Sequence, residues 1–343
     1  MSGGFTWRDA GRTVVFRRGG VGVAVEVLRE QGIGEFELLS TERALAGARE
    51  LAASASRIHE VPSGQVPAAA AALLDALAPP PLHGEGVRAR PLVALGGGRV
   101  IDVAKAIGAV SGAEVIAIPT TMSGAEMTGF HRLPEGAEER ARGLVRPALV
   151  IADPEAMTSQ PEAELRASSM NALAHGADTL YLPLSNPVSE MTALRGAELI
   201  ALALDEEREG RDDEALSLGS LLCGYAIDSA GMGLHHLVCQ TLVRLCGTPH
   251  AETNAAILPH SVALLSEQAR DAYTQLAEAL DTDLLGLPER IEELGRPPRL
   301  GDVGGDASKL GEAIEAMLQR PELERVPRPP SREELTELAA AAW

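Results

Sequence analysis

The sequence predicts an α/β domain with a parallel sheet over residues 1–154, followed by an all-α domain over residues 155–343. Three observations lead to this fold class. Short apolar β-like runs alternate with helical stretches in the first domain, which is typical of βαβ units and a parallel sheet. After Pro154 the helical patterns continue to the end of the chain. A chain of 343 residues is also longer than one small core usually organises.

Five strands are predicted in the first domain, each as an apolar run that ends in glycine, proline or polar residues. They are 13–19 (TVVFRRG), 36–40 (FELLS), 91–98 (PLVALGGG), 114–121 (EVIAIPTT) and 147–154 (PALVIADP). Helical stretches lie between them, at 22–32, 44–54, 67–81 and 100–112, the third of which prolines should end. The helices predicted in the second domain are 161–182, 187–204, 212–229, 231–246, 253–280, 307–319 and 331–342.

The composition excludes several classes of partner. The net charge of −19 argues against binding to nucleic acid or to anionic lipid. No apolar run is long enough to span a membrane, and the first residues lack the basic and apolar regions of a signal peptide. The three cysteines have no metal or redox spacing and fit a reducing compartment. We therefore expect a cytoplasmic protein.

Polar or glycine-rich residues follow two of the predicted strands. Gly96, Gly97 and Gly98 connect a buried strand to a helix, where backbone N–H groups can approach an anion. This is not the G-x-G-x-x-G pattern, and a tight turn without a ligand would need the same glycines. The next strand end carries hydroxyls, at Thr120, Thr121 and Ser123, which could instead cap a helix. The two strand ends together favour a dinucleotide pocket.

The second domain contains a cluster of possible metal ligands. Asn171 and His175 are four residues apart and would share one face of a helix. Further histidines follow at positions 235, 236, 250 and 260. A single histidine is more often an ordinary core or surface residue, but several near predicted helix ends suggest a zinc or iron site.

Several segments taken together resemble the iron-containing alcohol dehydrogenase superfamily, and in detail its maleylacetate reductase branch. They are GGGRVIDVAKA, PTTMSGAEMT, NALAHGADTLY, NPVSEMTALRGAELI and GMGLHHLVCQTLVRLCGTPHAETNAAILPH, in the family's order. The resemblance implies an N-terminal dinucleotide-binding domain, a helical C-terminal domain and an active site in the cleft between them. It also implies NADH or NADPH as cofactor and a homodimer.

The resemblance assigns roles to individual residues. The positions of the metal ligands are Asn171, His175, His236 and His250, so that Zn²⁺ or Fe²⁺ is a possible cofactor. A histidine of the dehydrogenases that handles protons falls at Gln240. The cofactor-side positions include Gly97, Gly98, Asp102, Thr120 and Thr121, to which we add Arg99, Ser123 and Ser40 from their places at strand ends.

Three residues depart from the dehydrogenase pattern. Asn171 stands where the dehydrogenases have aspartate, which agrees with the maleylacetate reductase branch. Gln240 cannot act as a general acid, because its amide does not titrate usefully. Arg99 replaces a serine and brings a cation close to the expected pyrophosphate. Without a carboxylate at position 171 a divalent ion would be bound more weakly, so we prefer use of the histidines without a metal and keep metal binding as the alternative.

These residues predict an NAD(P)H-dependent reductase of a small unsaturated oxo-acid or carbonyl compound. His235 and His236 are the candidates for protonating the substrate or binding its carboxylate, and Arg132, Arg142 and Arg244 are possible sources of positive charge. A sugar-phosphate cyclase-like enzyme or a pseudoenzyme remains the alternative. Ser40 and Thr41 would accept either cofactor, whereas Arg43 would favour NADPH.

Overall fold

The computed structural model describes residues 11–77, 89–205 and 210–343. These residues form two compact units, one ending at Ser159 and the other spanning Gln160–Trp343. The division falls after Ser159, whereas the sequence suggested Pro154, because the short helix that begins at Pro154 packs with the first unit.

The first unit contains a six-stranded parallel sheet with the strand order β1-β6-β5-β4-β2-β3. The strands are β1 Thr13–Phe16, β2 Glu37–Ser40, β3 Arg57–Glu60, β4 Leu92–Gly96, β5 Val115–Pro119 and β6 Leu149–Ala152. The predicted α/β class and its parallel sheet are confirmed. The sequence prediction omitted β3, an edge strand in which three of the four residues are polar, so that it lacks an apolar run.

Helices cover the sheet of this unit. They are α1 Ala24–Glu30, α2 Glu42–Leu45, α3 Arg49–Ser54, α4 Val66–Leu77, α5 Gly98–Ser111 and α6 Pro154–Met157, with 3-10 turns at Val21–Val23 and Glu138–Arg140. The single helix predicted over 44–54 is divided between α2 and α3. The proline end of the helix predicted over 67–81 lies outside the described residues.

The core of the first unit has two parts, one on each face of the sheet. Leu92 and Ala94 pack in a cluster with α4 and α5, whereas the alternate residues Val93 and Leu95 pack in a second cluster with α1 and α3. Both faces of the central strands are therefore buried, as expected for a parallel sheet. This packing fixes the carboxyl ends of β4 and β5 side by side.

The second unit is helical, as predicted. Its helices are α7 Glu162–Thr179, α8 Pro187–Leu204, α9 Asp213–Ala230, α10 Leu234–Leu245, α11 His250–Gln268, α12 Arg270–Ala279, α13 Leu287–Gly295, α14 Leu310–Leu318 and α15 Arg332–Ala341, with 3-10 turns at Ala307–Lys309 and Pro321–Arg325. The helix predicted over 253–280 is two helices, because the backbone leaves the helical region at Ala269. Helix α13 was not predicted.

Helix α7 lies within the second unit and packs against α8, α9 and α11. Nearly all of its residues from Leu165 to Thr179 are buried, including the polar ones. Its buried polar residues therefore need hydrogen-bond partners from the neighbouring helices. No helix among the described residues is long and apolar enough to cross a membrane.

Candidate functional site

Helices α7 and α10 meet around the buried carboxylate of Asp178. Its Oδ2 accepts hydrogen bonds from the backbone N of Gly233 at 3.0 Å and from Nδ1 of His236 at 2.7 Å. Its Oδ1 accepts one from the Tyr181 hydroxyl at 2.9 Å, and that hydroxyl accepts one from the backbone N of Leu234 at 2.6 Å. The side chains of Asp178, on α7, and of Tyr181, just after it, thus satisfy the first N–H groups of α10, which have no partner within the helix itself.

This contact requires glycine at position 233. A Cβ atom there would lie 2.0 Å from the Tyr181 hydroxyl oxygen and 2.7 Å from Oδ1 of Asp178. The glycine therefore allows the start of α10 to approach α7 closely enough for the Asp178–His236 hydrogen bond.

Asp178 remains ionised in this environment. Burial by itself would raise the pKa of Asp178, but its hydrogen bond with His236, the nearby histidines and the Tyr181 hydroxyl outweigh burial and hold it below its ordinary value. An ionised carboxylate at 2.7 Å places a proton on Nδ1 of His236. The other ring nitrogen, Nε2, is buried and has no hydrogen-bond partner among the described residues.

His175 lies beside His236 and presents a second unpartnered nitrogen. The two ring centroids are 4.8 Å apart and the ring planes differ by 8°. Nδ1 of His175 is buried, again with no hydrogen-bond partner in the described part of the chain. Burial and the neighbouring His236 lower the pKa of His175 well below its ordinary value, so its ring is neutral. Because buried polar atoms without a partner are rare in native proteins, these two nitrogens mark a candidate site for a polar ligand.

The other predicted ligand positions do not complete a metal site. Asn171 is buried one turn before His175 and brings an uncharged amide. His250 is exposed at the start of α11, where its Nε2 lies 3.4 Å from Nδ2 of Asn254. No group of three or more His, Cys, Asp or Glu side chains in the described ranges is placed to hold one ion. This donor set does not fit the divalent site that the sequence resemblance implies, and we assign no catalytic step to a metal.

His235 differs from its neighbour because both of its ring nitrogens have partners. Nε2 donates to Oδ1 of Asn254 at 3.0 Å, and Nδ1 lies 3.0 Å from the Ser261 hydroxyl. Burial lowers the pKa of His235 to about 3, so the ring is neutral. These contacts leave it no nitrogen for a substrate and give it a structural position between α10 and α11.

Gln240 also has local partners. Its Oε1 accepts a hydrogen bond from Arg320 at 3.4 Å, and its Nε2 lies 3.0 Å from the sulfur of Met232. Arg320 is paired with Glu322. The cation therefore lies beside the position where the dehydrogenases carry a histidine, although its charge is balanced by a carboxylate.

The glycine-rich turn of the first unit begins α5, and a loop from the end of β5 lies against it. A Cβ atom at Gly97 would be 2.9 Å from Cγ2 of Thr121, and one at Gly98 would be 2.8 Å from Cβ of Ser123. The hydroxyl oxygen of Thr121 is buried and without a hydrogen-bond partner among the described residues. The backbone N of Thr120 donates to the Gly96 carbonyl at 3.0 Å, which joins the two strand ends.

Two further cofactor-side residues lie on α5. Arg99 is exposed in its first turn. Asp102, one turn later, accepts a hydrogen bond from Lys105 at 2.8 Å. The structure thus brings together Gly97, Gly98, Asp102, Thr121 and Ser123 at one end of the sheet.

Ser40 is placed differently from the sequence expectation. It is fully buried, and its hydroxyl donates to the Leu95 carbonyl of the neighbouring strand at 2.8 Å. The side chain therefore faces into the sheet and offers no free hydroxyl to a ribose. Thr41 caps α2, with its hydroxyl accepting from the backbone N of Ala44, and Arg43 is exposed on the same helix.

Of the three arginines considered for substrate binding, two belong to the first unit and one to the second. Arg132 donates to Oε1 of Gln65 at 2.7 Å within the first unit. Arg142 is exposed in the same unit, and Arg244 is exposed near the end of α10.

Sequence reasoning missed Asp178, Tyr181 and Gly233. A signal for the first two was present, because Asp178 is three residues after His175 and Tyr181 three further on, which places them along one side of a helix. Their contact with α10 could not be read from the sequence, since Asp178 and His236 are separated by 58 residues.

The α/β unit with its glycine-rich turn and the helical unit with its buried histidines together define a class of oxidoreductase. Residues 166–343 match the model for the C-terminal domain of the Fe-containing alcohol dehydrogenase family, and residues 84–154 match that for iron-containing alcohol dehydrogenase. The chain belongs to the iron-containing alcohol dehydrogenase family and is an oxidoreductase.

Within this family the chain belongs to the maleylacetate reductase-like branch. It is 34% identical to the maleylacetate reductase of Burkholderia cepacia over 260 residues, which cover 73% of each chain. It is 32% identical to that of a Rhizobium strain over 331 residues, 92% of this chain and 90% of the relative. The crystal structure of maleylacetate reductase from Agrobacterium tumefaciens matches with a TM-score of 0.84 and 29% identity, covering 99% of this chain and 98% of that chain.

Proposed function

We propose that this enzyme uses NADH or NADPH to reduce a small, anionic, unsaturated oxo-acid such as maleylacetate. The observation that carries the proposal is the Asp178–His236 pair, in which Nε2 of His236 has no hydrogen-bond partner among the described residues and the ring is stacked on that of His175. The relatives named as maleylacetate reductases support the substrate class.

The proposed cofactor site is the end of the sheet in the first unit. The pyrophosphate would lie on the N–H groups at the start of α5, where Gly97 and Gly98 have no side chain of their own. The buried hydroxyl of Thr121, which lacks a partner among the described residues, would become a donor to the bound cofactor. The exposed guanidinium of Arg99 would add positive charge to this end of a strongly acidic protein.

The proposed reaction balances as a hydride transfer followed by protonation. A nicotinamide cofactor held at the start of α5 would supply a hydride to the carbon of the C=C bond that is β to the ketone, and the electron pair of that bond would move to the ketone oxygen to form an enolate. The α carbon then takes a proton. His236 is the proposed proton donor through Nε2, because the carboxylate of Asp178 stabilises its protonated form. The neutral ring of His175 orients the substrate by a hydrogen bond.

The proposal is tested by replacing His236. The purified protein should oxidise NADH or NADPH when maleylacetate is added, and His236→Asn should lower kcat by about 10²- to 10⁴-fold. His260→Asn, a change in a half-buried histidine on α11, is the matched control and should leave kcat unchanged. Absence of maleylacetate-dependent oxidation with both cofactors, or full activity of His236→Asn, would contradict the proposal.

We propose that this reaction does not need a metal. The donor chemistry supports this, because the described residues bring two imidazoles and an uncharged amide to the site without a carboxylate among the predicted ligands. Metal analysis of protein purified without a metal-affinity tag tests the proposal. Near-stoichiometric zinc or iron would contradict it.

The predicted homodimer is tested separately, by the molar mass of the purified protein in solution.

A further inference from the structure

A fully buried lysine lies under the proposed cofactor site. Lys105 is on α5, and its ammonium donates to Oδ1 of Asp102 at 2.8 Å, to the Ala125 carbonyl at 3.0 Å and to the Phe130 carbonyl at 2.7 Å. An ammonium has three hydrogens, so these bonds use all of its donors. Lysine is rarely buried without such partners, because removing its charge from water is costly.

These bonds join the helix of the glycine-rich turn to the loop after β5. Ala125 and Phe130 lie on that loop, and the earlier part of the loop contacts the turn at Thr121 and Ser123. The ammonium therefore holds the Asp102 carboxylate and the loop in place. Through the loop it also holds Thr121 and Ser123 against the glycine-rich turn.

A second buried group, Glu126, follows Ala125 in the loop and feels the charge of this ammonium without a hydrogen bond to it. Glu126 is fully buried, and neither of its carboxyl oxygens has a partner among the described residues. The charged groups that act on it are Lys105 and Asp102 from α5 and Arg12 from the segment before β1, which donates to the Met127 carbonyl. Burial raises the pKa of Glu126 to about 7, against the opposing effect of the Lys105 charge.

We propose that Lys105 is a positioning residue of the dinucleotide site, and that ionisation of Glu126 beside it weakens binding of the cofactor. This rests on the proposed function, since it takes the cofactor to be a nicotinamide dinucleotide. Lys105 does not touch the cofactor; it holds Asp102 and the loop in the arrangement that the pyrophosphate needs.

The direction of the Glu126 effect follows from its charge. An ionised Glu126 competes with Asp102 and the two carbonyls for the ammonium, which loosens the loop. It also adds negative charge near a site that must accept a pyrophosphate anion. Both effects raise the Kd of the cofactor as the pH rises.

The first test compares the only two lysines of the chain. Lys105→Met keeps the length of the side chain and removes its charge, whereas Lys309→Met makes the same change at an exposed residue of the helical unit. The Kd of NADH, measured by its fluorescence, should rise by about tenfold or more for Lys105→Met and stay unchanged for Lys309→Met. In the maleylacetate assay, KM for NADH should rise while kcat changes little.

The second test needs no change to the lysine. The Kd of NADH for the unaltered protein should rise several-fold between about pH 6 and about pH 8, and Glu126→Gln should abolish this dependence. NADH is the probe, because the additional phosphate of NADPH titrates with a pKa of about 6 and would obscure the result.

The outcomes separate this inference from the proposed function. If the unaltered protein binds neither NADH nor NADPH, the proposed function fails and the inference fails with it. If the unaltered protein and Lys105→Met bind NADH equally well, only the inference is overturned. If Lys105→Met does not fold, Glu126→Gln decides, and a pH dependence of the Kd like that of the unaltered protein would overturn the inference.

Discussion

Asp178 in the helical unit and Glu126 in the α/β unit are both fully buried carboxyl groups, yet their pKa values are shifted in opposite directions. Asp178 accepts hydrogen bonds from a backbone N–H, a histidine and a tyrosine, and its pKa lies below the ordinary value. Glu126 accepts none among the described residues, and its pKa rises to about 7. Burial is therefore not what decides the charge of a carboxyl group; the donors around it are.

The same comparison explains how the two regions are suited to different tasks. The donors around Asp178 come from Tyr181, just after α7, and from the start of α10, so that its fixed negative charge can stabilise a proton on His236. In the α/β unit the available donor, Lys105, is saturated by other acceptors, and Glu126 is left to titrate near neutral pH. One carboxylate is a permanent charge and the other a variable one.

The largest expected effect comes from removing the permanent charge. Asp178→Asn should lower kcat with maleylacetate and NADH by about 10²- to 10⁴-fold, because an amide does not stabilise a protonated His236. Steady-state kinetics measures this, together with the unfolding temperature as a check on the fold. Asp271→Asn, on the exposed side of α12, is the control and should have full activity. A fully active Asp178→Asn would show that the Asp178 charge has no part in the reaction.

The titration of Glu126 should make the free energy of unfolding depend on pH. The pKa of Glu126 rises from 4.5 in the unfolded chain to about 7 in the folded protein, so between these values the folded state holds a proton that the unfolded state has lost. The free energy of unfolding therefore decreases with rising pH over this range, by about 3 kcal/mol in total, and the loss is complete above the folded pKa.

Glu126→Gln removes this contribution. Relative to the unaltered protein, the variant should gain stability between about pH 5 and about pH 8, by up to about 3 kcal/mol. Urea unfolding at the two pH values measures the difference, and Glu278→Gln on the exposed side of α12 is the control, for which the difference should be the same at both. An equal effect of Glu126→Gln at both pH values would mean that Glu126 is ionised throughout.

The close approach that supplies Asp178 with its donors can be broken at Gly233. A methyl group there overlaps the Tyr181 hydroxyl, so Gly233→Ala should lower the free energy of unfolding by about 1–3 kcal/mol. Tyr181→Phe removes the overlapping oxygen, and the double variant should therefore lose less than the sum of the two single changes. Gly311→Ala in α14, where a Cβ meets nothing within 4 Å, is the control and should not destabilise. Additive losses in the double variant would contradict the contact.

The sequence predicted most of the fold, and both the elements that it predicted and those that it missed can be explained by burial and residue polarity. The apolar runs at 114–121 and 147–154 correspond to β5 and β6, because both faces of those strands are buried. The edge strand β3 was missed since Arg57, His59 and Glu60 break the apolar pattern. The division between α11 and α12 falls at Ala269, which carries no glycine or proline signal.

The sequence predicted the parts of the candidate site that are formed by residues close together in the chain. The helical spacing of Asn171 and His175 and the glycine-rich turn both follow from neighbouring residues. The Asp178–His236 and Lys105–Phe130 contacts join separate segments, and their partners are backbone groups or side chains that the sequence does not single out. His235 and His236 are adjacent, but Asn254 and Ser261 of another helix bind both ring nitrogens of His235. Nε2 of His236 has no such partner among the described residues, a difference that the sequence does not show.

The smallest expected effect concerns the choice of cofactor at the end of β2. Because the Ser40 hydroxyl is bonded to the Leu95 carbonyl within the sheet, Ser40→Ala should lower stability by about 1 kcal/mol and leave the ratio of KM for NADH to KM for NADPH unchanged. Arg43→Ala, one turn away on the exposed helix α2, should raise KM for NADPH more than KM for NADH if its guanidinium binds the 2′-phosphate. A change of the ratio in Ser40→Ala but not in Arg43→Ala would mean that the ribose is recognised from within the sheet, and that β2 and β4 separate there to expose the hydroxyl when the cofactor binds.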